Sequence, residues 1–179
     1  MMDLQASSLA ADQGQRSPFA FGQADHGLLP GVEGVAVNYR HPHSIFGRRE
    51  AAAYVQKLAA QPKHSGEGWY AVSRLGEVAS AAYLSVYGVG DGSGHTLWKI
   101  RHPLLDDSAP AACLSLLFNG LVAAALRARR GSAKFVVFLS EHEQNAMSQA
   151  SEAGFQREAC FKDYYRLGET CFVYGRTAA

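Results

Sequence analysis

The stretch KFVVFLSEHEQNAMSQASEAGFQREACFKDYYRLGETCFVYGR, residues 134–176, decides the fold. It begins with a short apolar run rich in Val and Phe, Lys134–Ser140, which predicts a buried strand. Glu143–Ala153 then has a helical pattern, and Gly154 ends it in the usual C-terminal position. A strand-like run, a tight turn and a second strand-like run follow at Phe155–Arg166, Leu167-Gly168 and Glu169–Arg176. The stretch therefore predicts a strand, a helix and an antiparallel hairpin, in that order.

The first half of the chain alternates strand-like and helical patterns. Val32–Tyr39 carries apolar residues at every second position, which predicts a half-buried strand. Arg48–Gln61 carries the apolar stripe of an amphipathic helix. A Leu-Gly turn joins two further strand-like runs, Trp69–Arg74 and Glu77–Tyr87, and so predicts a hairpin.

One more strand and one long helix are predicted before the C-terminal stretch. Thr96–His102 alternates along its length, and we expect Pro103 to end it because proline cannot donate to a ladder. Asp106-Asp107-Ser108 and Pro110 are helix-start signals, so we expect these polar side chains to cap the helix that follows. Gly131 ends that helix. The alternation of elements is typical of a sheet with helices packed on it.

The C-terminal pattern and this order of elements resemble the GNAT superfamily of N-acetyltransferases. In that family a strand leads into a helix ending in a Gly-Phe pair, here Gly154-Phe155, and an antiparallel hairpin closes the sheet. The combined pattern GF-x-x-E-A…DYYR-x-GE…VYGR is similar to the family's ending. The match runs from Val32 to Arg176, with one helix in place of the usual first pair. The resemblance implies an α/β (α+β) fold: a mixed, mostly antiparallel central sheet with helices on both faces.

The length of 179 residues is enough for one domain with its own core. Residues 1–31 are polar and have no sustained period, which predicts a flexible N-terminal arm. An alternative is that Phe19 and Phe21 anchor this segment on the domain or on a second subunit. We expect residues 32–179 to form a single GNAT-like domain. The sequence leaves open whether the chain forms a homodimer.

The composition excludes several classes of partner. The chain is 47% hydrophobic and 18% charged with a net charge of +1, which gives no reason to expect nucleic acid or an anionic membrane. No apolar run reaches the roughly 18–20 residues of a membrane helix, and the N-terminus lacks the order of a signal peptide. Three widely spaced cysteines, Cys113, Cys160 and Cys171, indicate buried thiols in a reducing cytoplasm. A disulfide between the last two is the alternative if their strands pair.

Two motifs that invite ligand hypotheses are interpreted as loops. His41-Pro42-His43 has no carboxylate or cysteine at ligand spacing, so we expect a loop and no metal site. The Gly-rich segment Gly88–Gly94 lacks the Lys-Ser/Thr ending and the following helix of a phosphate loop, so we expect a flexible hairpin loop.

The resemblance implies acetyl-CoA or another acyl-CoA as co-substrate. The family's splayed strand, whose backbone binds the pantetheine arm, corresponds to Ile100, Arg101 and His102. The following helix start, which binds the pyrophosphate, corresponds to Asp107–Ala112. Because a helix N-terminus carries unpaired N–H groups and a partial positive charge, the candidate donors are the N–H groups of Ala109, Ala111 and Ala112.

This loop departs from the family's pattern at two positions. Asp107 stands where Gln or Arg is expected, and its charge repels phosphate. Pro110 replaces a Gly and removes a donor N–H. Both changes weaken the expectation of a CoA site.

Amine acylation needs a base and a proton donor for the leaving thiolate. Ala150 occupies the position of the tyrosine that many members of the family use as the donor. Glu141 and His142 follow the strand 134–140, and either is a candidate base; the alternative is that both are exposed loop and cap residues. Tyr165 is a candidate on the hairpin, where Tyr164 would face the opposite way.

The leading hypothesis is a cytoplasmic acyl-CoA-dependent N-acyltransferase that acts on an amine of a small molecule. One alternative is a protein of the same fold that takes its acyl group from an acyl carrier protein or runs another reaction on a small metabolite. A second alternative is a binding module without catalysis, since the usual tyrosine is absent and the pyrophosphate loop is altered.

Overall fold

The computed structural model describes residues 18–39, 48–61, 64–89, 94–129 and 131–179. The described elements, in chain order, are β1 (Ala20–Gln23), α1 (Leu29–Asn38), α2 (Arg48–Ala60), β2 (Gly68–Arg74), β3 (Glu77–Val89), β4 (Thr96–Leu105), α3 (Ala112–Ala128), β5 (Ala133–Ser140), α4 (Gln144–Glu152), β6 (Gln156–Lys162) and β7 (Thr170–Ala178). Three predictions fall outside the described residues: residues 1–17 of the arm, the loop at His41-Pro42-His43, and residues 90–93 of the Gly-rich loop.

The seven strands form one sheet in the order β1-β2-β3-β4-β5-β7-β6. Among the described strands β4 and β5 run parallel, and every other neighbouring pair is antiparallel. The predicted mixed, mostly antiparallel sheet is therefore confirmed.

Helices cover both faces of the sheet, as predicted. On one face α3 and α4 enclose a core in which Trp98, Phe118 and Phe135 are fully buried. On the other face α1 and α2 cover a second core that contains Val32 and Trp69. Because each large apolar side chain contributes roughly 1.5–3 kcal/mol on full burial, both layers hold the sheet in place. Among the described helices none has the length and apolarity needed to cross a membrane.

The strand predicted at Val32–Tyr39 is wrong, because this segment belongs to helix α1. Leu29, Val32 and Val35 are buried at intervals of three, which is the spacing of a helical stripe. Pro30 lies in the first turn, where its fixed φ suits the helix. The chain therefore has two helices, α1 and α2, where the sequence predicted one, and α2 confirms the predicted amphipathic helix.

Residues 20–31, predicted to belong to a flexible arm, contribute β1 and the start of α1, so the folded domain begins before residue 32. The ring of Phe21 stacks on Tyr70 with 5.6 Å between centroids. It fills the space beside Gly120, where a Cβ atom would lie 2.4 Å from the ring. Phe19 packs against the same core. These contacts confirm the alternative in which the two phenylalanines anchor the segment on the domain.

Strand β4 continues through Pro103 to Leu105, so the predicted end at Pro103 is wrong. Arg101 pairs with Tyr83 and Leu104 with Ala81, so two residues of β4 oppose one of β3. This is a β-bulge, which tolerates a proline because the ladder is interrupted there. The extra residues are His102 and Pro103, and His102 has a left-handed φ of 52°.

The C-terminal strand, helix and hairpin are present as β5, α4, β6 and β7. Strand β6 ends at Lys162, however, four residues before the predicted Arg166. Asp163 has a left-handed φ of 56°, and its Oδ1 accepts the N–H of Gly168 at 2.5 Å. The chain turns there, so Tyr164 and Tyr165 lie in a turn and not on a strand.

All three cysteines are free thiols, so the alternative of a disulfide does not apply. Cys113 and Cys171 are buried as predicted, but Cys160 is exposed. It lies on β6, which is one of the two edge strands of the described sheet and has mostly exposed side chains.

Candidate active site

A gap opens in the sheet between β4 and β5. The two strands pair in parallel from Thr96 to Ile100 on β4 and from Ala133 to Val137 on β5, and the ladder ends there although both strands continue. β5 remains paired with β7 as far as Ser140. Beyond Ile100 the backbone of β4 therefore has no ladder partner on the β5 side. The splayed strand implied by the resemblance lies at this position.

A cavity of about 370 Å³ lies at this gap, on the face of the sheet that α1 and α2 cover. The polar and aromatic side chains that line it come from six parts of the chain: Tyr39; Tyr54; Trp69; Lys99, Arg101 and His102; Phe138, Ser140 and Glu143; and Tyr164, Tyr165 and Glu169. The cavity combines both signs of charge with an aromatic wall, and such concave sites with a few convergent polar groups are typical of small-molecule binding.

Glu143 lies directly before α4 and lines this cavity. The Tyr39 hydroxyl donates to its Oε1 at 3.1 Å, and the N–H of Ser140 donates to its Oε2 at 2.7 Å. Burial raises the pKa of the Glu143 carboxyl above its ordinary value; the bonds from Ser140 and Tyr39 lower it, and the nearby Glu169 carboxylate raises it. A carboxyl shifted toward neutral pH is suited to accept a proton.

The same contact fixes the protonation of Tyr39. Burial, followed by the charge of Glu143, raises the pKa of the Tyr39 hydroxyl well above its ordinary value. The hydroxyl therefore keeps its proton and acts as a donor to the carboxylate. Tyr39 ends α1, so helix packing on the sheet decides where Glu143 points.

His102 lies at the β4 bulge and faces the cavity. Its Nε2 is 3.2 Å from the Tyr54 hydroxyl, and the two rings meet edge to face with 5.2 Å between centroids. The ring is accessible from the cavity, yet protein atoms desolvate it. This desolvation, followed by the charges of Arg101 and Lys99, lowers the pKa of His102 to about 4.

We expect the His102 ring to remain neutral between pH 5 and pH 8. Its depressed pKa means that the folded chain binds fewer protons than the unfolded chain below pH 6.5. The unfolding free energy is therefore unaffected by this group above pH 6.5, and it decreases as the pH falls toward 4. NMR titration of the ring carbons measures the pKa directly. The His102→Gln variant should show a flatter pH dependence of its urea midpoint over that range; a ring that titrates near 6.5 contradicts the prediction.

A second cavity of about 320 Å³ lies between the loop after β4 and the start of α4, and Tyr39 and Glu143 line both cavities. Helix α3 begins beside it with Ala111 as N-cap and no side-chain cap, so the predicted capping by Asp106-Asp107-Ser108 is wrong. Asp106 Oδ1 instead accepts the N–H and the hydroxyl of Ser108 in a local turn.

This turn changes which N–H groups are available at the start of α3. The Ala109 N–H donates to the backbone carbonyl of Asp106 at 3.0 Å, so it is already used. Within the described part of the chain, no hydrogen bond engages the N–H of Ala111 or of Ala112. Two of the three predicted donors are therefore available, while Asp106 and Asp107 also line the cavity.

The three residues predicted as catalytic lie in different surroundings. Tyr165 lines the first cavity, and His142 lines the second. Glu141 Oε1 accepts the N–H of Thr170 at 3.2 Å and lies 3.9 Å from His142 Nε2. This places the Glu141 carboxylate against the start of β7, away from the first cavity.

Sequence reasoning missed six charged or hydroxyl side chains of the first cavity: Tyr39, Tyr54, Lys99, Ser140, Glu143 and Glu169. In the sequence, Glu143 marks only the start of the predicted helix Glu143–Ala153. Lys99 lies in the predicted strand Thr96–His102, and the alternation of that strand was the available signal, since Lys99 and Arg101 share a face. No spacing in the sequence links Tyr39 with Glu143, which are 104 residues apart.

No protein-family model and no curated protein matches the chain. Solved structures do match. A ribosomal-protein-S5-alanine acetyltransferase from Vibrio fischeri has a TM-score of 0.62 at 12% identity, with 90% of this chain and 94% of that chain covered. A GNAT-family acetyltransferase from Bacillus anthracis has a TM-score of 0.62 at 9% identity, with 88% of this chain and 93% of that chain covered.

A ribosomal-protein-alanine N-acetyltransferase from Brucella melitensis has a TM-score of 0.61 at 10% identity, with 89% of this chain and 99% of that chain covered. At such low identity these likenesses concern the fold. The similarity covers 88–90% of this chain and 93–99% of the matched chains. The chain therefore has the fold of the GNAT superfamily of acetyltransferases.

Proposed function

We propose that the chain is an acyl-CoA-dependent N-acyltransferase that acts on an amine bound in the first cavity. The observation that carries the proposal is that the gap between β4 and β5 opens onto a cavity holding a carboxyl of raised pKa, Glu143. An acyl donor in the gap and an amine beside Glu143 would meet at one point. The fold shared with GNAT acetyltransferases supports the same reaction class.

The chain's own groups fit the two ends of an acyl-CoA unequally. The backbone of Ile100, Arg101 and His102 lies along the gap and would bind a pantetheine arm. The N–H groups of Ala111 and Ala112 would donate to phosphate at the start of α3, where the helix dipole favours an anion. The carboxylates of Asp106 and Asp107 oppose an anion there, so we expect the pantetheine end to supply most of the affinity.

The acyl donor supplies a thioester, which reacts with an amine but not with an ammonium ion. Glu143 would accept the proton that the amine must lose, and Tyr39 and Ser140 hold its two oxygens in place. The C–N bond forms as the C–S bond breaks, and the sulfur takes up one proton. Tyr165 lines the same cavity and its hydroxyl carries a proton, so it is the candidate donor of that proton.

The proposal predicts that acetyl-CoA binds the full chain with a dissociation constant on the order of 100 μM, as is common for substrates. Isothermal titration calorimetry measures this, and S-acetyl-pantetheine is the matched ligand without the nucleotide. We expect the two constants to differ by less than about tenfold, because Asp106 and Asp107 offset the phosphate contacts. Absence of binding by both ligands contradicts the proposal.

The two carboxylates also favour one alternative donor. An acyl group on a carrier protein is attached through a pantetheine arm without the nucleotide, so it avoids most of the repulsion at Asp106 and Asp107. Transfer from an acetylated carrier protein, with no transfer from acetyl-CoA, would favour that donor. Whether the donor is acetyl-CoA or an acetylated carrier protein, the chain would transfer the acyl group to an amine.

A further inference from the structure

Four charged side chains line the first cavity. Lys99 and Arg101 project from the same face of β4, two residues apart. Glu143 precedes α4, and Glu169 precedes β7. The charges of Lys99, Glu143 and Glu169 all lie close enough to the Cys171 thiol to influence its pKa.

The two cations have no anionic partner in the described part of the chain. No ion pair joins Lys99 or Arg101 to a described carboxylate, and the buried Nε–H of Arg101 has no acceptor there. Lys99 Nζ lies 4.3 Å from the centre of the Phe138 ring. Burial, followed by the charge of Arg101, lowers the pKa of Lys99. Adjacent, partly desolvated cations repel each other, and a bound anion would relieve this repulsion and accept from Arg101.

Glu169 presents the complementary feature. Its side chain is 4% exposed and lines the cavity, and its buried Oε2 has no hydrogen-bond partner among the described residues. A buried carboxylate oxygen without a donor is costly. A cationic ligand would supply donors to this oxygen, and Glu143 lies close enough for its pKa to respond to the Glu169 charge.

We propose that the acyl acceptor is a zwitterionic amine of the α-amino acid class, with its carboxylate on Lys99 and Arg101 and its ammonium group beside Glu169 and Glu143. The inference rests on the proposed function, because it names the acceptor of that same site. Each end of such a ligand meets a charge that lacks a partner within the described protein. In this arrangement Glu169 binds the ammonium group, and Glu143 accepts the proton that the group loses before acylation.

The test is equilibrium binding of the twenty common L-amino acids to the full chain, measured by ligand-observed NMR without any acyl donor. The α-carboxamide of the tightest binder is the matched neutral ligand. We expect the carboxamide to bind roughly 10- to 100-fold more weakly, which is the typical effect of charged hydrogen bonds. The Arg101→Met variant should weaken the amino acid to the level of the carboxamide and leave the carboxamide unchanged.

Two further variants separate charge from folding. Arg101→Lys keeps the positive charge and should retain part of the preference for the amino acid over the carboxamide. Lys162→Met removes a cation from the exposed edge strand β6 and should leave both affinities unchanged. Failure of all twenty amino acids to bind, or equal binding of amino acid and carboxamide by the wild-type chain, overturns the inference.

Acyl transfer distinguishes this inference from the proposed function. Amino acid binding without acyl transfer from acetyl-CoA or from an acetylated carrier protein supports the amino acid site and contradicts the proposed function, and with it the role of the amino acid as acyl acceptor. Equal transfer to amino acid and carboxamide supports the proposed function and overturns the inference. If Arg101→Met impairs the use of succinyl-CoA relative to acetyl-CoA and leaves amino acid binding unchanged, the anion site serves the acyl chain, and the inference is overturned.

Discussion

The Glu143→Gln variant is expected to lower kcat for amine acylation by roughly 10²- to 10⁴-fold, the usual contribution of a general base. Glutamine keeps an oxygen for the Ser140 N–H and a group for Tyr39 to contact, so the fold and KM should change little. In the wild-type chain kcat/KM should fall as the pH drops through the raised pKa of Glu143, because the protonated carboxyl accepts no proton. The variant should lose this limb of the pH profile.

Glu141→Gln is the matched comparison, two residues away. The Glu141 carboxylate accepts the N–H of Thr170, and glutamine can do the same. We expect its rate to stay within about threefold of the wild type, as for most changes away from the reacting groups. A large loss in Glu141→Gln together with a normal rate in Glu143→Gln would identify Glu141, one of the two candidate bases from the sequence, as the base.

A second large effect concerns stability and a residue outside the site. Glu67 directly precedes β2 and is 9% exposed. Its Oε1 accepts the N–H of Val86 at 2.6 Å, and its Oε2 accepts the N–H of His64 at 2.8 Å. The β2–β3 ladder ends at the pair of Gly68 and Leu84. The carboxylate therefore supplies the acceptor that β2 no longer offers to Val86.

The Glu67→Ala variant is expected to lose roughly 1–3 kcal/mol of unfolding free energy, because two partly buried N–H groups lose their acceptor. Urea unfolding followed by circular dichroism measures the loss. Glu67→Gln retains one carbonyl oxygen for one of the two N–H groups and should lose about half as much. An alanine variant as stable as the wild type would show that water satisfies both N–H groups.

Local pattern was enough to predict much of the fold. The apolar run at β5, the Gly154 that ends α4 and the Leu75-Gly76 turn all depend on near neighbours in sequence. The same reasoning was wrong at α1, where a few apolar residues fit both a strand and a helix. Packing on the sheet decided between them, since the buried stripe of α1 is Leu29, Val32 and Val35.

The candidate site was predictable only in outline. The position of the splayed strand followed from the resemblance, and Arg101 and His102 line the cavity beside it. The candidate base Glu143 did not follow from the sequence, because Tyr39 and Glu143 meet only when α1 is packed on the sheet. The helix-start signals around Asp106 were misinterpreted as caps, since the turn that Asp106 forms with Ser108 depends on the path of the loop.

The sequence by itself determined the class of fold, because hydrophobic period, turns and helix ends are local properties of the chain. Only the tertiary structure decided which charges meet. Lys99, Arg101, Glu143 and Glu169 come from β4, the start of α4 and the start of β7, and they share one cavity because β4 and β5 separate beyond Ile100. Electrostatic interactions depend on distance in space and on burial, and neither quantity is encoded in the spacing of residues along the chain.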